Sequence, residues 1–256
     1  VVDNDSSGDD LARLEAALPG VRILPAGTNL GFGGGNNLAL RELATGCALL
    51  LNPDAGLAEA DAERLLAELE SDPRIAVTGP LLTDPTGRVE AVGGRDIGRH
   101  ARTHRRPEEA VAPDAPPIEV DYVPGTAALL RLDAVRAVGG FDERFFFSGE
   151  MADLCRRLRE AGWRCVVVPG ARAWHRRADR DAARRDLDAY YSLRNRFLFV
   201  RKHGAPGRRW WWAARGTVSA LRHLVTGRPA RARAEMRAVL HGLRGRFGPA
   251  SGDDAR

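Results

Sequence analysis

Short apolar runs alternate with helix-period stretches through the first half of the chain. VVD (1–3), VRIL (21–24), CALLLN (47–52) and RIAVTG (74–79) read as strands. Between them, residues 9–18, 36–44 and 59–70 repeat apolar positions at helical spacing. This alternation predicts an α/β fold: a mostly parallel sheet flanked by helices. Residues 96–118 are charged, proline-bearing and aperiodic, and predict a mobile loop. EVDYVPGTAALLRLDAV (119–135) then predicts a strand, a Pro-Gly turn, a buried strand and a helix start, and CVVVPG (165–170) one more strand.

On a helix over 150–161, Met151, Leu154, Cys155, Leu158 and Ala161 fall in one core-facing arc. Glu150, Asp153 and Arg157 sit beside it. Glu150, at the helix start, is expected to turn toward a cleft. The alternative is a first-turn acid favoured by the helix dipole, with Asp153 paired to Arg157. Two amphipathic helices follow residue 204. Trp210, Trp211, Ala214, Val218 and Leu221 mark the first, and Ala232, Met236, Val239 and Leu243 the second.

Composition changes this picture in two places. The net charge of +5 is uneven: residues 201–256 hold 13 Lys/Arg against 3 Asp/Glu. The basic amphipathic tail (204–256) therefore either packs on the preceding domain (1–203) or meets an anionic membrane surface. Cys47, Cys155 and Cys165 form no CxxC pair, which argues against a disulfide scaffold and a zinc site and for a reducing, cytoplasmic setting. No apolar run approaches the ~18 residues that span a bilayer. The C-terminal tryptophans alternate poorly with arginine for base stacking, and no nucleic-acid motif is present.

Several stretches suit ligand chemistry. LLLNPDAGL (49–57) puts Asn52 and Asp54 at the carboxyl end of a strand, where open α/β sheets bind ligands and an acid can hold a hard cation. The same NPD could be a plain turn. NLGFGGGNNLAL (29–40) is glycine-rich before a helix, but fails both the P-loop and the dinucleotide patterns. Its glycines allow close backbone approach to a ligand, and Asn36 or Asn37 could cap the helix. His175 follows a strand and a turn, and gains meaning only if Asp54 lies near it.

Taken in order, VVDNDSSGDD, NLGFGGGNNLAL, LLLNPDAGL, VDYVPGTAALLRLDAVRAVGGFDERFFFSGE, DLCRRLREAGW, His175 and YYSLRNRFLFVRKH resemble family 2 glycosyltransferases. The likeness is to inverting enzymes of GT-A fold, especially the rhamnosyltransferase-like branch. It implies a UDP- or dTDP-sugar donor, Mg2+ or Mn2+, and a glycan or lipid-linked acceptor in cell-wall or surface polysaccharide synthesis. Asp3 then corresponds to the acid that reads the nucleobase. Asn29, Gly31, Gly33, Asn36 and Asn37 fall in the loop near nucleotide and sugar. Asn52 and Asp54 match the DxD-type motif, with Asp54 and His175 as metal ligands. Gly125 and Thr126 line the acceptor side, and Glu150, with Asp153 second, supplies the base. The family often places its base where Met151 stands here, which leaves open a non-catalytic sugar-nucleotide or partner-binding homologue. The resemblance also implies a strand and helix upstream of VVDN, which reads as the second half of a strand.

Overall fold

The computed structural model describes residues 1–6, 9–104, 111–176, 181–204 and 207–250. The chain opens with β1 (Val2–Asp3), α1 (Asp10–Ala17), β2 (Leu24–Pro25), α2 (Gly31–Glu42), β3 (Cys47–Leu51), β4 (Ala55–Leu57), α3 (Glu59–Ser71) and β5 (Ile75–Thr83). It continues with β6 (Val89–Ala91), β7 (Ile118–Glu119), β8 (Ala127–Arg131), α4 (Leu132–Ala137) and a 3-10 turn at Glu143–Phe145. Then follow α5 (Glu150–Glu160), β9 (Arg164–His175), α6 (Ala182–Lys202), α7 (Arg208–Val225) and α8 (Pro229–Arg244).

A seven-stranded sheet runs β3-β8-β5-β9-β4, with β6 beside β5 and β7 beside β9, and β1-β2 form a separate parallel pair. The α/β layout is as the pattern implied, but the sheet is mixed rather than mostly parallel. β5 and β9 pair parallel, and β3 shares their direction. β8 runs against β3 and β5 between them, and β4, β6 and β7 are antiparallel additions. Apolar runs record that a strand is buried, not which way it points. CALLLN is less buried than its composition suggests. β3 is the end strand of this path, so Leu50 faces the core while Leu49 and Leu51 face outward.

The main core lies between this sheet and α4–α6. There Leu130, Val77 and Cys165 meet Leu154, Leu158 and Leu198. Leu65 and Leu69 of α3 cover the other face with Ile75 and Val166. The segment expected to be a mobile loop is tied down over its first part. Ile97 is buried, and Arg196 donates to the carbonyls of Ile97, His100 and Ala101. Residues 105–110 of that segment lie outside the described residues.

α7 and α8 pack on α6 through Trp212, Val239, Phe197 and Val200. The packing face of α7 is Trp212, Gly216 and Ala220. At Gly216 a Cβ would lie 2.6 Å from Val239, so the close helix approach requires glycine there. Trp210, Trp211, Val218 and Leu221, the stripe prominent in the sequence, face outward.

Candidate active site

α2 begins at Gly31, five residues before the sequence pattern placed it. Asn4 explains the early start. Its amide oxygen accepts from Leu30 N at 2.9 Å, and its amide nitrogen donates to Gly31 O and Asn29 Oδ1. Asn29 Oδ1 accepts from Gly31 N at 2.9 Å. Gly31 adopts φ +71°, and a Cβ there would fall 2.2 Å from Phe146 O. Gly33 faces Phe141 and the Glu150 side chain. The close approach that these glycines allow is thus to the loop before α5. Asn36 and Asn37 lie inside the helix and are not its caps. Asn36 donates to Phe32 O. Asn37 accepts from Phe141 N and donates to Phe141 O and Glu143.

That loop is contorted. Phe146 has φ 61° and ψ −55°, and Phe147 N donates to Phe145 O at 2.7 Å, closing a strained γ-turn. Ser148 (φ 70°) and Gly149 (φ 103°) are also left-handed. Such conformations cost about 1–3 kcal/mol at non-glycine residues and persist where the surroundings over-determine them. Here the determinant is Asn195 on α6. Its buried amide nitrogen donates to the carbonyls of Phe145, Phe147 and Ser148 at 2.8, 2.7 and 2.6 Å. Arg194 adds a bond to Phe145 O and stacks on Tyr190 and Tyr191. Sequence reasoning gave Asn4 and Asn195 no role. YYSLRNRFLFVRKH entered only as part of the family resemblance, with no role attached to its polar residues.

The loop delivers Glu150 to a cavity of about 360 Å³. Asn52, Gly125, Thr126, Tyr122, Phe32 and Met151 contribute to its walls. Asn52 N donates to Thr126 O at 3.0 Å, joining the NPD turn to the residue that precedes β8. At Gly125 a Cβ would lie 2.7 Å from Phe32, so glycine keeps that wall close. Glu150 is only 4% exposed, and its Oε1 has no hydrogen-bond partner among the described residues. Burial pushes its carboxyl up to about 7, against the lowering effect of the Glu150 and Ser148 backbone N–H groups and Arg194. Of the three phenylalanines, only Phe147 lines the cavity, while Phe145 is core.

Asp153 has the opposite surroundings and lies outside the cavity lining. It is fully buried, with Arg157 at 2.8 Å, Lys202 at 2.8 Å and His203 at 3.0 Å. Burial would raise its carboxyl, but the His203 hydrogen bond and the Arg157 and Lys202 charges hold it below the usual range.

At the carboxyl end of β3, the turn through Pro53 leads into β4, whose Ala55 pairs with His175 at the end of β9. This register brings His175 Nε2 within 3.2 Å of Asp54 Oδ2, and Arg176 N donates to Asp54 O. The expected pairing of Asp54 with His175 is therefore present. Both side chains are partly exposed. One carboxylate and one imidazole can supply two ligands to a divalent cation, and among the described residues no third His, Cys, Asp or Glu joins them, so further donors would have to come from a bound phosphate or water. Asp3 sits at the end of β1, where its carboxylate accepts from Ser6 N.

The glycosyl transferase family group 2 profile matches residues 63–231. The chain is 32% identical, over 88% of its length and 82% of the relative, to an N-acetylglucosaminyl-diphospho-decaprenol L-rhamnosyltransferase of Mycobacterium tuberculosis. It is 34% identical to a pre-mycofactocin glycosyltransferase of the same species, over 54% of this chain and 28% of that one. Among solved structures, a mannosyltransferase from Pyrobaculum calidifontis with GDP-Man and Mn2+ aligns at TM-score 0.56 and 15% identity, covering 96% of this chain and 76% of that one. GalNAc-T7 with UDP, GalNAc and Mn2+ aligns at 0.57 and 15%, covering 70% of this chain and 37% of that one. The fold is GT-A, the architecture of nucleotide-sugar transferases. The chain belongs to glycosyl transferase family group 2.

Proposed function

We propose that this chain is an inverting, metal-dependent hexosyl- or rhamnosyltransferase. It moves a sugar from a UDP- or dTDP-sugar to a hydroxyl of a glycan or lipid-linked acceptor in cell-wall or surface polysaccharide synthesis. The observation that carries the reading is Glu150: a buried carboxyl, near neutral in pKa, with an unpartnered oxygen on the wall of a sugar-sized cavity. The 32% identity to an enzyme whose name specifies a diphospho-decaprenol acceptor supports the acceptor class.

Glu150 Oε1 takes the proton of the acceptor hydroxyl as that oxygen attacks C1. The new C1–O bond forms on the face opposite the breaking C1–O bond to the diphosphate, which inverts the anomeric centre. Asp54 and His175 hold Mg2+ or Mn2+, which when bound neutralises charge on the leaving diphosphate. Asp3, Asn29 and Asn52 contact the nucleotide. Gly31, Gly33 and Asn37 serve that side by fixing α2 against the segment that leads to Glu150, and Asn36, bonded within α2 to Phe32 O, faces the nucleotide and sugar with them. Gly125 and Thr126 shape the acceptor wall. The outward face of α7 rests on an anionic membrane on the cytoplasmic side.

Thermal shifts with UDP and dTDP in Mn2+, Mg2+ or EDTA test the donor site, since stabilisation follows RT ln(1 + [L]/Kd). Asp54→Ala should abolish the metal dependence. Equal binding in EDTA would discard the metal assignment. With an active donor–acceptor pair, Glu150→Gln should lower transfer by at least ~10² while nucleotide binding persists. Near-normal turnover in that variant, with collapse in Asp153→Asn, would move the base to Asp153.

A further inference from the structure

A second cavity, of about 450 Å³, opens between α6, α7 and α8. Arg185, Arg196, Arg215 and Arg231 line it, against the carboxylates of Asp188 and Glu235. Glu235 is already engaged by Ser219 at 3.1 Å, His223 at 2.9 Å and Arg231 at 3.4 Å. Arg231 is paired with Glu235 and with Asp186, so Arg185, Arg196 and Arg215 against Asp188 leave the remaining lining net cationic.

Arg196 is the unusual member. It is buried, lies over the Trp212 ring at 4.1 Å, and directs its guanidinium to the carbonyls of Ile97, His100 and Ala101. Carbonyls carry only partial charge. Arg215 faces the same space, and its repulsion adds to the burial that lowers the Arg196 pKa to about 10. Arg196 and Arg215 line the same cavity, and an anion held there would be stabilised by both charges.

The two cavities adjoin. Asp188, Ser192 and Arg196 of α6 line both. Neither Asp54 nor His175 lines either cavity, but Asn52 of the same NPD turn lines the first and not the second, which sets the second apart from the place assigned to the donor diphosphate. α7, which contributes Trp212 and Arg215 to it, carries the exposed apolar stripe on its other side.

We propose that the α6–α8 cavity binds the diphosphate of a lipid-linked acceptor, so that the sugar attached to it enters the neighbouring cavity beside Glu150. The inference rests on the lipid-linked acceptor reading above and adds where that acceptor is held. The diphosphate bridges Arg196 and Arg215, and the lipid leaves along α7 toward the membrane. Contacts to phosphate fix position without reacting, so this site acts on acceptor affinity rather than on the proton transfer.

The test uses the full chain with farnesyl diphosphate, inorganic diphosphate, UDP with Mn2+, and phosphatidylglycerol vesicles. Arg215 is exposed and lies off the α7 packing face, so Arg215→Gln and Arg215→Glu should fold normally. Farnesyl diphosphate affinity should fall about tenfold in Arg215→Gln, the loss of one charged hydrogen bond, and further in Arg215→Glu. UDP binding should not change. In turnover, KM for the diphospholipid acceptor should rise with kcat held, while KM for an uncharged glycoside of the same sugar stays put. Unchanged farnesyl diphosphate affinity in both variants would overturn the proposal, as would a parallel loss of UDP binding. Inorganic diphosphate binding as tightly would mark a free-anion site, and vesicles displacing farnesyl diphosphate a headgroup site. Either result overturns the lipid-linked assignment. If farnesyl diphosphate binding depends on Arg215 but no donor–acceptor pair gives transfer, the site stands and the functional reading falls.

Discussion

Glu150 and Asp153 lie one turn apart on α5, both buried, and the protein drives their carboxyls in opposite directions. Glu150 meets a cavity and an apolar wall, whereas Asp153 meets Arg157, Lys202 and the His203 ring. The same residue chemistry on one helix thus meets two opposite electrostatic settings.

For Glu150 the pH dependence has two opposite signs. A base must be ionised, so transfer should rise with pH through about 7. Stability should move the other way. The folded-state pKa is raised, so the folded protein binds more protons between the ordinary glutamate value of 4.5 and about 7, and stability is lost as pH rises through that window. The cost at pH 8 is on the order of 3 kcal/mol. Urea melts at pH 5 and 8 should show this loss in the wild type and a smaller one in Glu150→Gln. Identical pH slopes in the two proteins would show that burial does not perturb this carboxyl.

Asp153→Asn should unfold the protein more readily without touching the cavity. It leaves Arg157, Lys202 and His203 facing a neutral amide, with Asp142 remaining as a partner of Lys202 at 2.7 Å. Breaking a buried ion cluster in this way costs about 3–5 kcal/mol. The midpoint of urea unfolding at pH 7 should drop accordingly, while UDP affinity in the folded baseline stays unchanged. A stable variant with lost turnover would instead give Asp153 a chemical role.

Asn195→Ala should slow transfer at a distance from the chemistry. The carbonyls of Phe147 and Ser148 lose their Asn195 donor, Phe145 O keeps only Arg194 and Phe147 N, and the left-handed Phe146–Gly149 segment loses its main tether. A displacement of Glu150 by about 1 Å can cost ~10² in rate. The expected outcome is a fall in kcat of about 10- to 100-fold with KM for the donor held. Steady-state kinetics with saturating acceptor checks it, and an unaltered kcat would make Asn195 merely structural.

Much of this arrangement was legible in the residues, for identifiable reasons. The Glu150 helix could be projected because α5 has a strict 3.6-residue period, and the Asp54–His175 meeting was conditional on a register that β4 and β9 supply. What escaped was set by tertiary partners. Strand direction, the early start of α2 and the exposure of Leu49 and Leu51 depend on which strands and loops lie alongside. The face of α7 was misleading for a physical reason. Its packing side is Trp212 with small residues, Gly216 and Ala220, which carry little hydrophobic signal. Its strongest apolar stripe faces outward.

That stripe leads to the remaining expectation. Val218 is 66% exposed, Leu221 55%, Leu224 57% and Val225 87%, with Trp210 at 60% on the same face. At 100° per residue these positions share one arc, and Arg208, Arg215 and Arg222 fall along one edge of it. An apolar face bordered by arginine and tryptophan suits the headgroup boundary of an anionic bilayer. Among the described residues no helix is long and apolar enough to cross one. Each basic side chain near such a surface contributes about 1 kcal/mol. The protein should therefore co-sediment with phosphatidylglycerol vesicles more than with phosphatidylcholine, and less at high salt. Val218→Asp with Leu221→Asp should remove most of the binding while leaving the melting temperature unchanged, since neither residue packs on α6 or α8. Arg222→Gln should weaken it several-fold and flatten its salt dependence. Equal sedimentation with both lipids at low salt would eliminate the electrostatic contribution. Retained binding in the double aspartate variant would show that the bilayer is met by another surface.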